Sequence, residues 1–153
     1  MHSLETRIPP AVVALAAAAV MWGIAALTDG IDATHGVRLA SAIAIAALAA
    51  FFCIAGVVSF RRAKTTVNPL QPGNASSLVD SGIYRITRNP MYLGFALFLV
   101  AWAAYLASPA ALLGVAAFVL YIDRFQIQPE ERALAVLFGE AFDRYRSTVR
   151  KWI

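Results

Sequence analysis

The sequence predicts an all-α integral membrane protein: one domain of four transmembrane helices, two of them a helical hairpin, with a cytoplasmic, amphipathic helical tail. Three observations lead there. Of 153 residues, 60% are hydrophobic and 14% charged, where soluble domains carry about 25% charged residues. Four long apolar stretches are separated by polar breaks, and each approaches the roughly 20 residues a helix needs to cross the hydrocarbon core. The cations gather beside these stretches and form no soluble basic face, so the net charge of +4 marks membrane flanks and no nucleic-acid partner is expected.

The first span covers residues 9–28, with Pro9 and Pro10 suited to its opening turn and Asp29-Gly30-Ile31-Asp32 as its stop. Its length is that of a span, so it is expected to remain as a helix and not to be removed as a signal peptide. The second covers residues 37–60 and ends at Arg61, Arg62 and Lys64. The third, residues 89–107, opens at Asn89-Pro90. Ser108-Pro109 is so short a turn that the fourth span, residues 110–127, must return antiparallel and form the hairpin. The span interiors are read as free of charge, which argues against a transporter. Gly23, Gly56 and Gly94 are expected where helices approach closely. Cys53 has no partner for a disulfide and reads as a small hydrophobe. His2 and His35 read as solvated, and no metal site is expected.

Orientation follows from the distribution of Lys and Arg. Arg61, Arg62, Lys64, Arg85 and Arg88 lie in the loop of residues 61–88, and Arg124, Arg132, Arg144, Arg146, Arg150 and Lys151 lie in or just before the tail of residues 128–153. The connection at 29–36 and the Ser108-Pro109 turn carry none. Both termini, the long loop and the tail are therefore expected in the cytoplasm.

Two polar regions invite chemistry. In the loop, residues 65–74 carry Pro69, Pro72 and Gly73 and should be irregular. Beyond them Arg85 and Arg88 stand three residues apart, placed to meet a carboxylate or phosphate of a cofactor, substrate or lipid headgroup, or to snorkel. In the tail, Ala133, Leu134, Leu137 and Phe138 recur at helical spacing, Gly139 interrupts, and Phe142, Tyr145 and Val149 continue the stripe with Trp152 at the interface. Glu130-Glu131, just past the last apolar run, would be repelled by an anionic leaflet. They need a positive partner, or they serve a helix start.

The order Leu78-Val79-x-x-Gly82-x-Tyr84-x-x-x-Arg88-Asn89-Pro90-Met91-Tyr92-x-Gly94, followed by Glu130-Glu131-x-x-Leu134-x-x-x-Phe138-Gly139-x-x-Phe142-x-x-Tyr145, resembles the isoprenylcysteine carboxyl methyltransferase and phospholipid methyltransferase superfamily over about residues 60–153. The resemblance implies a membrane-embedded enzyme, like the small prokaryotic members of a bacterial inner membrane. It would use S-adenosylmethionine from the cytoplasm and a lipophilic or lipid acceptor from the bilayer. It places Tyr84, Arg88, Asn89, Pro90, Tyr92, Glu130, Glu131 and Tyr145 around the cofactor, and Arg88, Asn89 and Arg144 at the reacting end. Two departures stand out: Asn89 where many members have His, and Phe142 where many have Tyr. The first removes any role that needs an imidazole. Methyl transfer suits these residue types without a metal, since an in-line displacement asks mainly for positioning, which supplies about 7–11 kcal/mol. A carboxylate acceptor needs a cation to orient it and an amine needs a base; the sequence offers both and does not choose. A non-catalytic membrane scaffold or lipid-binding protein, and a nicotinamide-dependent membrane reductase, are the rival readings. The small-residue stripes leave the oligomeric state open.

Overall fold

The computed structural model describes residues 5–63 and 77–153; His2, Lys64 and the 65–74 stretch lie outside them. Among the described residues the chain is all helical. It runs α1 (Pro10–Leu27), α2 (His35–Arg62), a 3-10 turn (Gly82–Arg85), α3 (Pro90–Leu106), a second 3-10 turn (Pro109–Ala111), α4 (Leu112–Ile122), a π-helical turn (Asp123–Ile127), α5 (Gln128–Phe138) and α6 (Glu140–Thr148). Three runs, Pro10–Leu27, His35–Arg62 and Pro109–Phe138, are long and apolar enough to cross a membrane, while Pro90–Leu106 is apolar and shorter. This is an integral membrane protein.

The shortest apolar helix is the central one. α3 buries Tyr92, Leu93, Ala96, Leu99, Ala101 and Ala103, because α2 covers one side of it and α1 and α4 the other. α2 runs antiparallel to α3. A Cβ added at Gly94 would stand 2.9 Å from the Ala49 carbonyl oxygen, and one at Gly56 would stand 2.8 Å from Met91 Cγ. The two backbones therefore approach as small-residue membrane interfaces do. At the far end of the same pair, Arg38 Nε donates to the Tyr105 carbonyl at 2.7 Å. On the opposite side Trp102 Nε1 donates to the Ala18 carbonyl at 3.1 Å, and Met21, fully buried, fills the space left by Gly114. α1 and α4 are antiparallel, tied by Thr28 Oγ1 and Ser108 Oγ at 3.4 Å at one end and by Gln126 Nε2 donating to the Ile8 carbonyl at 2.7 Å at the other.

Helix ends follow local chemistry. Pro10 and Pro90 occupy first-turn positions, where the missing N–H costs nothing, and the Thr34 hydroxyl caps α2 by accepting from Val37 N at 3.4 Å. α3 ends on Ala107 in the left-handed region, φ 51°, whose carbonyl accepts from Ile31 N at 2.7 Å. Ser108 then caps the next turn by accepting from Ala111 N at 3.3 Å. Gly139, φ 51°, separates α5 from α6, as its lack of a side chain permits.

Three expectations are corrected. The second span is not free of charge: Arg38 lies in the first turn of α2. Gly23 meets nothing within 4 Å, and Gly114 takes its place at a close helix contact. The last apolar run is not one plain α-helix ending at residue 127. It opens as a 3-10 turn, widens into a π turn at Asp123–Ile127 and continues into α5 without a stop.

These contacts order two substitutions. Gly94→Ala must push α2 away from α3 and is expected to cost about 1–3 kcal/mol, lowering the unfolding temperature in detergent. Gly23→Ala faces open space and should be neutral or stabilising by up to about 1 kcal/mol. Thermal unfolding of the two purified variants against the parent checks the order.

Candidate functional site

The site forms where α3 begins and the last long helical run passes into α5. The Gly82–Arg85 turn brings Ile83 and Tyr84 inward, where they pack with Val79, Phe142 and Tyr145 in a small core of their own. Phe60 of α2 meets the Tyr84 ring edge-on, centroids 5.4 Å apart, and Tyr145 Oη donates to the Tyr84 carbonyl at 2.8 Å. Gly82 adopts φ 62°, and a Cβ there would stand 2.9 Å from Ser59 Oγ of α2. That glycine is required for the turn to lie this close. The Tyr84 and Tyr145 hydroxyls are held well above their ordinary acid constant, chiefly by burial. Both remain proton donors.

Arg88 organises the next layer. Its Nε and Nη2 donate to Glu131 Oε1 at 3.2 and 2.8 Å, and its Nη1 donates to the carbonyls of Arg146, at 3.1 Å, and Val149. Its backbone N donates to the Arg150 carbonyl at 3.0 Å. The neighbouring side chains continue the same work: Asn89 Nδ2 and Thr87 Oγ1 both donate to the Lys151 carbonyl, at 3.0 and 3.3 Å. Lys151 Nζ in turn meets Asp123 Oδ1 at 2.7 Å. The end of the chain is thereby laid across the start of α3. Pro90, fully buried, begins that helix immediately beyond.

Glu130 and Glu131 are neighbours on α5 and therefore point about 100° apart around the helix axis. Glu131 faces Arg88. Glu130 faces α3, where Tyr92 Oη donates to its Oε1. Among the described residues no Lys or Arg forms an ion pair with Glu130. Its acid constant is pushed up to about 8, mainly by burial and further by the Glu131 charge, against the Tyr92 hydrogen bond, which lowers it.

Tyr84, Arg88, Asn89, Pro90, Tyr92, Glu130, Glu131 and Tyr145 thus gather at one end of the bundle. Arg144 does not join them: it lies exposed on α6, its carbonyl accepting from Ser147 Oγ at 2.7 Å. Sequence reasoning missed Thr87, fully buried beside Arg88, and Gln126, 1% exposed. Polar residues closing an apolar run, Gln126 with Gln128 beyond Asp123 and Arg124, were a usable signal for Gln126. Asp123 and Arg124, neighbours in sequence, do not pair with each other: Asp123 meets Lys151 at 2.7 Å and Arg124 meets Glu5 at 3.2 Å.

Apolar helices wrapped around α3, with a carboxylate, tyrosine and arginine cluster closing one end, define a helical membrane protein whose polar chemistry is concentrated there. The chain belongs to the phospholipid methyltransferase family, whose model matches residues 37–141, more than half of the sequence. It is 44% identical over 63 residues to an uncharacterized protein of Haemophilus influenzae, an alignment covering 41% of this chain and 100% of that one. It is also 32% identical over 96 residues to probable protein-S-isoprenylcysteine O-methyltransferases of Oryza sativa subspecies indica and japonica, covering 61% of this chain. The alignment spans 49% of the rice proteins' length. No solved structure matches the chain. The superfamily resemblance read from the two motifs is borne out. The family match takes in the first motif and the glutamate pair and stops short of Phe142, Arg144 and Tyr145.

Removing the Arg88 guanidinium should release the chain end. Charge-assisted hydrogen bonds contribute about 1.5–3 kcal/mol, so Arg88→Ala is expected to speed amide exchange of residues 146–152 by at least about tenfold. Arg88→Lys, which keeps one charge but not the fork, should fall between. Hydrogen–deuterium exchange in detergent or nanodiscs reads both.

Proposed function

We propose that this protein is an S-adenosylmethionine-dependent methyltransferase that works at the cytoplasmic face of the membrane on a lipophilic acceptor. The observation that carries the reading is Glu130. It is a carboxylate drawn into the protein beside tyrosine hydroxyls, its neighbour Glu131 already neutralised by Arg88, and no described cation answers it. A cationic ligand would complete that environment. S-adenosylmethionine brings two positive groups, a sulfonium and an ammonium, and supplies a methyl on the sulfonium for in-line displacement by the acceptor. The family supports the same choice.

In this reading Glu130 binds positive charge and Tyr92 fixes the carboxylate's orientation. The rings of Tyr84 and Tyr92 offer faces to a cation or an adenine. Arg88 and Glu131 act by position, since their mutual pair and the tail carbonyls occupy the guanidinium. Asn89 and Pro90 set the start of α3, and Tyr145 locks the Tyr84 turn. Arg144 enters only as a cation of the exposed face of α6, at headgroup level. The acceptor is a carboxylate of the isoprenylcysteine type or a phospholipid amine, as the names of the rice relatives and of the family suggest. In topology, α1, α2, α3 and the Pro109–Ile127 run are the four spans, with both termini in the cytoplasm and the Ser108-Pro109 turn outside.

Calorimetric titration of S-adenosylmethionine into the purified protein tests the cofactor. Micromolar binding is expected, weakened at least about tenfold, 1.4 kcal/mol, in Glu130→Gln; no binding by the folded parent sinks the reading. The sign of the pH dependence follows from the raised acid constant. Below about pH 8 the Glu130 carboxyl keeps its proton, which a cation must displace, so affinity should rise with pH by at most about tenfold per unit and level off above. Glu130→Gln should flatten that profile. Topology has its own check: an impermeant maleimide on intact cells should label Pro109→Cys and not Ser147→Cys.

A further inference from the structure

At the end of the bundle remote from Glu130 lies a cavity of about 390 Å³, walled by Ile31, Val37, Val100, Ala104 and Leu112, with Arg38 in its lining. A cavity of that size accommodates a ligand segment. Its walls are mostly alkyl, with Ser41 and Ser108 also in the lining, and its one charged group is a guanidinium. That guanidinium is aimed by two contacts: Nε donates to the Tyr105 carbonyl at 2.7 Å, and the carbon at its centre stands 5.6 Å from the centroid of the Tyr105 ring. Tyr105 is braced by Trp102 stacked on it at 5.6 Å. Neither Nη nitrogen has a hydrogen-bond partner among the described residues, and no described carboxylate forms an ion pair with Arg38. Arg38 is also the one Lys or Arg that the sequence places at this end of the helices. An arginine that is oriented, unneutralised and set in an apolar recess is complementary to an anion that carries a hydrocarbon chain.

We propose that this recess holds one membrane phospholipid, its phosphate on the free edge of Arg38 and an acyl chain along Val100, Ala104 and Leu112. The seat joins the start of α2 to the end of α3, at the opposite end of both helices from the polar cluster. It is thus a second lipid site, independent of whatever acceptor reaches Glu130.

Native mass spectrometry of the detergent-purified full chain tests it, with added phosphatidylglycerol as the probe and diacylglycerol of the same chains as its phosphate-free counterpart. One tightly held phosphatidylglycerol is expected, with diacylglycerol bound at least about tenfold more weakly. Arg38→Ala should lose that preference, and Ala104→Phe, which fills the recess, should lose the bound lipid. S-adenosylmethionine affinity should be unchanged in both, which separates this site from the cofactor reading. Equal retention of the two lipids by the parent protein, a comparison needing no variant, would overturn the proposal. So would displacement of the phosphatidylglycerol by millimolar inorganic phosphate, which would make the seat one for a free anion.

Discussion

The Arg88 guanidinium is the joint on which the polar end of this protein depends. Three separate pieces of chain meet there: the approach to α3 that carries Arg88 itself, the first turn of α5 through Glu131, and the last residues through the Arg146 and Val149 carbonyls. Helices in a bilayer have little hydrophobic drive to associate, since lipid is as apolar as their side chains. Close packing at Gly94 and Gly56 can hold α2 to α3, but it cannot fix α6 and the chain end, which lie beyond the last long helical run. A planar five-donor group can, because each bond it makes has a defined direction. Only 12% of the Arg88 side chain is exposed, so these bonds are not diluted by solvent as surface pairs are.

That joint also explains why two adjacent glutamates behave differently. The roughly 100° between successive helical residues sends Glu131 to a full positive charge and Glu130 to a neutral hydroxyl. Burial then raises the Glu130 carboxyl, the Tyr92 hydrogen bond offsets only part of that, and among the described residues no Lys or Arg pairs with it. Because α5 continues the preceding run without a stop, its direction is set by that run, and the Arg88 pair adds the tie that holds Glu131 against the approach to α3 and the chain end. Neutralising one carboxylate is what leaves the other available.

Much of this was legible in the sequence, for physical reasons. Apolar length and the placement of Pro9, Pro10, Pro90 and Gly139 mark helices and their ends, because bilayer thickness and backbone chemistry leave few alternatives. The motif residues Tyr84, Arg88, Tyr92, Glu130 and Glu131, from two segments far apart in the sequence, lie at one end of the bundle, while Arg144 stands apart on α6. Their pairing was not legible: that Arg88 spends its donors on Glu131 and on carbonyls depends on where the chain end lies, and backbone acceptors have no signature in side-chain identity. The π turn at Asp123–Ile127 escaped for a related reason, since it is a change of register within an unbroken apolar run. Arg38 was in plain view and was misread because a span was treated as uniform, whereas the first turn of a membrane helix belongs to the interface.

The departure at Asn89 takes on a different weight in this setting. The loss of an imidazole matters if position 89 must take or give a proton. Here its amide donates to the Lys151 carbonyl at 3.0 Å, beside the Thr87 hydroxyl that bonds the same oxygen, and its own backbone N donates to Thr87 Oγ1 at 3.2 Å. Among the described residues the side chain makes this one hydrogen bond, which fastens the chain end across the start of α3. That task needs one N–H in the right place, which a carboxamide and a neutral imidazole both provide. The substitution therefore preserves the architecture around Arg88 and Glu131, and through it the environment that sets Glu130 apart.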